Sequence, residues 1–399
     1  MEKKNVVATR VTATILSMSL LTVMAGAAIA PALGIIREHF ASKPALLIQL
    51  IVSMPALLII VTSMVFLPLS RLMSTRTIAI TGLLLYVVAG AGCFLVDDIG
   101  VLLFLRALLG ISVGMIMPLS TGLLSYYFPP EEQARLMGLS AAMNQMGGVV
   151  ATLLAGLLAT VEWNYSFLVY LLGLAAILMV WLWLPDDRLG SANKRGVPFT
   201  PRQLLKFHPS VVGMFLLMLA FFVFPTNFAI TAQKQTSFTT AQITLVMVGL
   251  DVVAFFVGLF FGRLMTACRR AVKYFCPAAF ALGYGCFAIA PEGSTLGAAA
   301  VVAGAMLIGI ATGVGVPYLN TIASIKGGKN SATTVMPLLS AALYLGQFCS
   351  PLVVMPAAKA VFGADDVVGP YKIGVAISLL MLLQVWTTRH FQSLPPAKD

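Results

Sequence analysis

The sequence predicts an all-α integral membrane protein, twelve transmembrane helices in two pseudo-symmetric six-helix bundles, and three observations carry that prediction. Hydrophobic residues make up 59% of the 399 and charged residues only 10%, with a mean hydropathy of +0.97, which excludes a water-soluble globule of ordinary make-up. The apolar residues fall in twelve continuous runs, where a helix needs about 20 residues to cross a hydrocarbon core of about 30 Å. Finally, Gly-Ile-x-x-Gly-x-x-x-Pro occurs twice, from Gly110 to Pro118 and from Gly309 to Pro317, so the copies lie 309 − 110 = 199 residues apart, half the chain. Leu-Ser-Ala-Ala then recurs at Leu139 and Leu339. An ordered repeat inside long apolar runs indicates a duplicated unit of parallel orientation, the arrangement by which two halves enclose a substrate path.

The runs are taken in order. The first, residues 12–36, follows Lys3 and Lys4 and carries Ala25-x-Ala27, but it is too long for a signal peptide and eleven more follow. The next five are 46–69, 77–96, 99–128, 134–160 and 164–184. A stretch rich in charge, Gly and Pro comes next, Pro185 to Pro209, which reads as a linker. The second six are 210–232, 241–262, 272–290, 295–323, 332–358 and 371–388. None alternates in and out as a barrel strand does. Pro31, Pro55, Pro118, Pro225, Pro317 and Pro351 lie inside runs, where a bundle re-satisfies the carbonyls they free, and they mark candidate kinks. The predicted domains are therefore 1–185, a cytoplasmic linker 186–209, and 210–399.

The formal charge of +11 is explained by placement. With alternate loops assigned to one side, that side and both termini hold 19 of the 25 basic residues and the other side five, with Arg106 inside a span. That is the positive-inside bias, so both termini are expected in the cytoplasm and the protein in the cell membrane. The dispersal of these residues over short loops argues against nucleic acid as a partner. The five cysteines are odd in number and have no metal-ligand spacing, so no metal or cofactor is expected. His39, His208 and His390 lie in loops or the tail, and neither a nucleophile motif nor a nucleotide loop is present, so the chain does not read as an enzyme.

Two charges fall well inside runs, Arg106 in the fourth and Asp251 in the eighth. An ionised group at membrane depth costs about 2.5 to 3.5 kcal/mol even on insertion scales, so each must face a partner, a cavity or water. Asp251 is the candidate proton or ion carrier, since burial raises a carboxyl pKa and access to water lowers it. A structural acid and a contact to a substrate cation are the other readings. The guanidinium of Arg106 cannot lose its proton, which leaves an anion site, a counter-charge, or pairing with backbone carbonyls. Gly110, Gly114, Gly309 and Gly313 recur at four-residue spacing, which suits close packing, with Pro118 and Pro317 marking bends.

The Leu102, Arg106, Gly110 pattern resembles the L-x-x-x-R-x-x-x-G motif of the major facilitator superfamily, and so do the inner loop Phe128 to Ala142, the outer turn Glu162 to Phe167 and the layout of nearly the whole chain. Two departures stand beside this resemblance. The loop between the second and third runs, Leu69 to Thr77, lacks the acid of that family's motif, leaving Ser74, and Thr266 in the second half, as weak substitutes. The fifth run keeps Gly148 and Gly156 of the antiporter motif but has Thr152 and Leu153 in place of its central Gly-Pro.

The resemblance implies that helices one, four, seven and ten line a central cavity, which singles out Thr22, Ser112, Asn227, Tyr318 and Asn320, with Asn144, Gln145, Tyr344 and Gln347 added by helices five and eleven. Each of these can also bond helix to helix. It further implies a monomeric secondary transporter, embedded in the bilayer and proton-coupled, for a small organic solute or drug, similar to the family's exporters. Uptake of a small organic anion, and a non-transporting sensor or lipid-handling protein, are the alternatives.

Overall fold

Lipid supplies no hydrogen-bond partners, so an apolar run must close its backbone bonds within itself. Twelve helices among the described residues are long and apolar enough to cross a bilayer. The computed structural model describes residues 2–128, 130–187, 201–235, 238–268, 271–291, 294–327, 336–363 and 366–388. Spans one to six are Thr9–His39, Ala45–Phe66, Thr75–Leu95, Ile99–Ser120, Leu139–Ala159 and Trp163–Trp183. Spans seven to twelve are Phe207–Gln233, Thr240–Leu259, Val272–Ile289, Thr295–Ala323, Leu338–Phe362 and Gly369–Thr387.

The chain divides into two units, Met1–Arg195 and Gly196–Asp399. Each packs its helices in the same pattern. In the first unit span one lies on four and five, span two on four, and span three on four and six. In the second, span seven lies on ten and eleven, span eight on ten, and span nine on ten and twelve.

Glycines set the closest approaches. A Cβ at Gly110 would lie 2.3 Å from the Pro55 carbonyl oxygen, and one at Gly309 would lie 2.6 Å from that of Leu250. Gly114 and Gly313 sit one turn further along, with a Cβ 2.7 Å from Thr62 Cβ and from the Ala254 oxygen respectively. A second seam joins span one to five and span seven to eleven: a Cβ at Gly147 would be 2.0 Å from Leu20 O, and one at Gly346, 199 positions later, 2.4 Å from Phe215 O.

The prolines act differently from one another. The helices Ile99–Tyr127, Thr295–Gly327 and Met336–Phe362 run through Pro118, Pro317 and Pro351 unbroken. Span one is interrupted: its first helix ends at Ala27, and a 3-10 turn Ala30–Ala32 holds Pro31 before helix Leu33–His39. Span seven is interrupted at Phe222, between Pro201–Phe221 and Val223–Gln235. Residues 201–209, read from sequence as linker, are helical. Pro201 stands at the first helical position, which needs no N–H donor, and the Pro209 oxygen accepts from Gln384 Nε2 at 2.9 Å.

Span twelve begins at an ion pair, Lys372 Nζ to Asp366 Oδ2 at 2.7 Å. The Asp366 carboxylate also accepts from Val368 N at 3.0 Å. The hydrogen bond from Lys372 holds the Asp366 carboxyl below its ordinary pKa, so its contribution to stability is complete at neutral pH and disappears as pH falls through that lowered value. Both groups are partly solvated, so Lys372→Gln should cost at most about 1 kcal/mol at pH 7. Thermal unfolding of both forms should show that difference shrinking on acidification.

Candidate functional site

Arg106 lies seven residues into span four, about 10 Å along the helix, and is 0% exposed. Its Nη1 donates to Tyr170 Oη at 2.8 Å and approaches the Ala25 oxygen at 3.4 Å. Tyr170 in turn donates to Ala25 O at 3.0 Å. The guanidinium carbon lies 4.9 Å from the Phe167 ring centre and 5.0 Å from that of Tyr170, contacts worth up to about 2 kcal/mol when desolvated. The Cys93 thiol is also within interaction range. Nε and Nη2 have no hydrogen-bond partner among the described residues. A permanent cation is thus enclosed by spans one, three, four and six, held by a carbonyl, a hydroxyl and two aromatic faces.

The second unit keeps this frame with different contents. Tyr86 donates to Leu21 O at 3.1 Å, and Tyr284, 198 positions later, donates to Ala220 O at 2.5 Å. Tyr86 packs on Tyr170 at 5.5 Å between ring centres, and Tyr284 on Tyr371 at 6.1 Å. Where the first unit has Arg106 and Ala89, the second has Ala305 and Phe287, at offsets of 305 − 106 = 199 and 287 − 89 = 198. The Phe287 ring stacks on Tyr371 at 4.8 Å, and its Cε2 would lie 3.0 Å from a Cβ at Gly304, next to Ala305. One chamber is filled by an arginine and its counterpart by a phenylalanine.

The hydroxyls of this frame serve the interrupted helices. Pro225 has no N–H to offer the Phe221 carbonyl four residues earlier. Tyr284 Oη reaches that oxygen at 3.5 Å besides its bond to Ala220 O, and Ser350 Oγ donates to Leu219 O at 2.9 Å. Within the break, Thr226 Oγ1 donates to Phe222 O at 2.5 Å and Asn227 Nδ2 to Val223 O at 2.8 Å. Tyr284→Phe leaves these buried carbonyls short of a donor and should cost about 1 to 3 kcal/mol, which thermal unfolding of the purified protein would read as a lowered Tm.

The structure brings only some of the sequence candidates together. Thr22 Oγ1 lies 3.0 Å from Asn144 Oδ1 and 2.7 Å from Ser19 O, and Ser19 Oγ lies 2.7 Å from Ser140 Oγ, a polar seam between spans one and five. Ser112 is fully buried, and its hydroxyl has no hydrogen-bond partner among the described residues. Gln145 is exposed, Asn320 and Tyr344 are half-buried, and Tyr318, Gln347 and Asn227 are buried. Asp251 is the twelfth of 20 residues in span eight and half-buried, between Leu250 and Ala254, whose carbonyls meet Gly309 and Gly313. Arg106 belongs to the first unit and Asp251 to the second. Tyr86, Tyr170 and Tyr284 were not singled out from sequence. Near-constant offsets between tyrosines in equivalent spans, 198 and 201, were the available signal.

A duplicated pair of six-helix units with interrupted helices at spans one and seven is the architecture of a polytopic membrane carrier. The family model described as Major Facilitator Superfamily matches residues 15–351. The chain belongs to the Major Facilitator Superfamily, a transporter family and not an enzyme one. Among characterised sequences it is similar to sialin of Homo sapiens, 34% identical over 92 residues, which are 22% of this chain and 18% of that protein. It also resembles the probable anion transporter 4, chloroplastic, of Arabidopsis thaliana, 32% identical over 26% of this chain and 19% of that one. The multidrug transporter protein MdtP of Bacillus subtilis (strain 168) is 24% identical over 28% of this chain and 21% of its own length. These matches span about a fifth of each relative's length. Among solved structures, the bacterial homolog of the human lysosomal transporter Spinster superposes with a TM-score of 0.75 at 14% identity, covering 98% of this chain and 99% of that one. The nucleoside transporter NupG gives 0.73 at 11%, covering 96% and 100%, and a D-xylose-proton symporter gives 0.70 at 14%, covering 94% and 97%. At these identities the likeness is one of fold.

Proposed function

We propose that the protein is a secondary transporter that moves a small organic solute across the cell membrane by alternating access, driven by protons, as a monomer with both termini in the cytoplasm. The observation that carries this reading is Asp251, the one carboxylate placed at mid-span in the twelve spans. Eleven residues from the start of its helix it stands about 16 Å deep, where keeping an ionised group is costly and taking up a proton removes the cost. The interrupted spans one and seven supply the pliable segments, and the sialin, nucleoside and xylose-proton neighbours support an organic cargo by their names.

Thr22, Asn144, Asn227 and Gln347 are the proposed solute contacts. The two matched relatives at 32 and 34% identity are a sialin and an anion transporter, which favours an organic anion as the second reading of the cargo. Proteoliposomes with an imposed pH gradient and a panel of labelled neutral and anionic solutes test this. Gradient-dependent flux that a protonophore collapses is expected, and ligand binding without flux under either gradient would replace transport with sensing.

A further inference from the structure

The two units close the heads of spans three and nine in different ways. These heads are equivalent, because the offset that relates Tyr86 to Tyr284, 284 − 86 = 198, also relates Thr75 to Lys273, 273 − 75 = 198. In the first unit the chain itself covers the head. After span six it turns back so that Asp187 O accepts from Thr75 N at 2.7 Å, while Tyr127 Oη donates to Asp187 Oδ2 at 2.7 Å. Arg76 Nη2 fastens the same exit by donating to Trp181 O. The peptide oxygen of Asp187 is thereby seated on the head of span three, where a negative partial charge is favoured, while its carboxylate is held by Tyr127.

In the second unit the equivalent position is Lys273, only 8% exposed. It lines a pocket of about 20 Å³ enclosed by spans seven, nine, ten and twelve, with Tyr318 and Gln384 as further polar walls. Its Nζ lies 4.7 Å from the Tyr274 ring centre, and no carboxylate is within ion-pair distance among the described residues. A buried ammonium without counter-charge is costly, and here it adds to the positive end of the helix Val272–Ile289. The space suits one oxygen-sized atom. Lys273 is the second residue of the helix Val272–Ile289, so the pocket lies at the end of a span, and basic pockets between helices take anionic headgroups.

We propose that this pocket binds a phosphate group, one oxygen seated against Lys273 and the head of span nine, where the first unit seats the peptide oxygen of Asp187 on the head of span three. The group comes from an anionic lipid headgroup or from free phosphate. The inference does not depend on the cargo or on Asp251.

The test uses the full chain in nanodiscs of phosphatidylcholine with and without phosphatidylglycerol, and separately with added inorganic phosphate. Phosphatidylglycerol is expected to raise Tm by several degrees over phosphatidylcholine alone, the rise vanishing in Lys273→Gln and persisting in Lys273→Arg and in the control Lys359→Gln. A rise with phosphatidylglycerol alone identifies the headgroup as the source, and an equal rise with inorganic phosphate identifies the free anion. No rise with either, or an undiminished rise in Lys273→Gln, overturns the proposal. Should Lys273→Gln fail to fold, native mass spectrometry of the wild-type protein decides. Retention of phosphatidylglycerol over phosphatidylcholine supports the site, and equal retention overturns it.

Discussion

Asp251→Asn is expected to reduce gradient-driven flux to the background of empty liposomes while the protein is purified in normal yield with an unchanged Tm. Asparagine keeps the size and hydrogen-bonding capacity of the side chain but cannot gain or lose a proton, so coupling is lost and folding is not. Solute exchange without a gradient should survive, because exchange needs no net proton movement. Normal pH-dependent uptake by the variant would remove Asp251 from the mechanism, and loss of folded protein would assign it a structural role. Asp251→Glu, which retains the titration, should recover part of the driven flux.

The second large effect concerns packing. Gly147→Ala would place a methyl group 2.0 Å from the Leu20 carbonyl oxygen, and Gly110→Ala would place one 2.3 Å from that of Pro55. Both obstacles are backbone, so spans one and five, or two and four, must separate along a whole seam. Overpacking usually costs about 1 to 3 kcal/mol, and the rigidity of these obstacles puts each variant at the upper end or beyond. Gly285→Ala, with nothing within 4 Å of its added Cβ, is the control and should be near neutral. The fraction of monodisperse protein after heating ranks the three; equal survival would mean that the seams yield more easily than the geometry indicates.

What was legible beforehand divides along a physical line. The twelve spans could be read because burial in lipid is written into composition over 20 residues at a time, and the repeat because its glycines must recur wherever helices touch. The Arg106 chamber could not be read, since its partners are a carbonyl, available at every position, and Tyr170, one of ten tyrosines. Nor could the contact of Asp187: the loop Leu69 to Thr77 lacks an acid in its own sequence, and the peptide oxygen of a residue 187 − 75 = 112 positions away accepts from Thr75 N within it. Local motif matching cannot see a contact made by chain reversal. Thr22 and Asn144 were chosen separately as cavity residues, and their mutual contact across two spans was equally invisible.

The exchange of Arg106 and Ala89 for Ala305 and Phe287 has an electrical consequence. A guanidinium stays charged at every physiological pH, and no acid lies within ion-pair distance of it among the described residues. Any tilt that carries it along the membrane normal works against the transmembrane voltage, about 2.3 kcal/mol for a full crossing at 100 mV, or about 0.5 kcal/mol for a fifth of the thickness. The matching positions of the second unit, Ala305 and Phe287, carry no charge and do no such work, while on the proposed mechanism Asp251 would shed its charge on taking a proton. Membrane potential therefore acts on the first unit through a fixed charge and, if Asp251 carries the proton as proposed, on the second through a conditional one, which would make the two halves of a repeated scaffold unequal partners in any voltage-driven step.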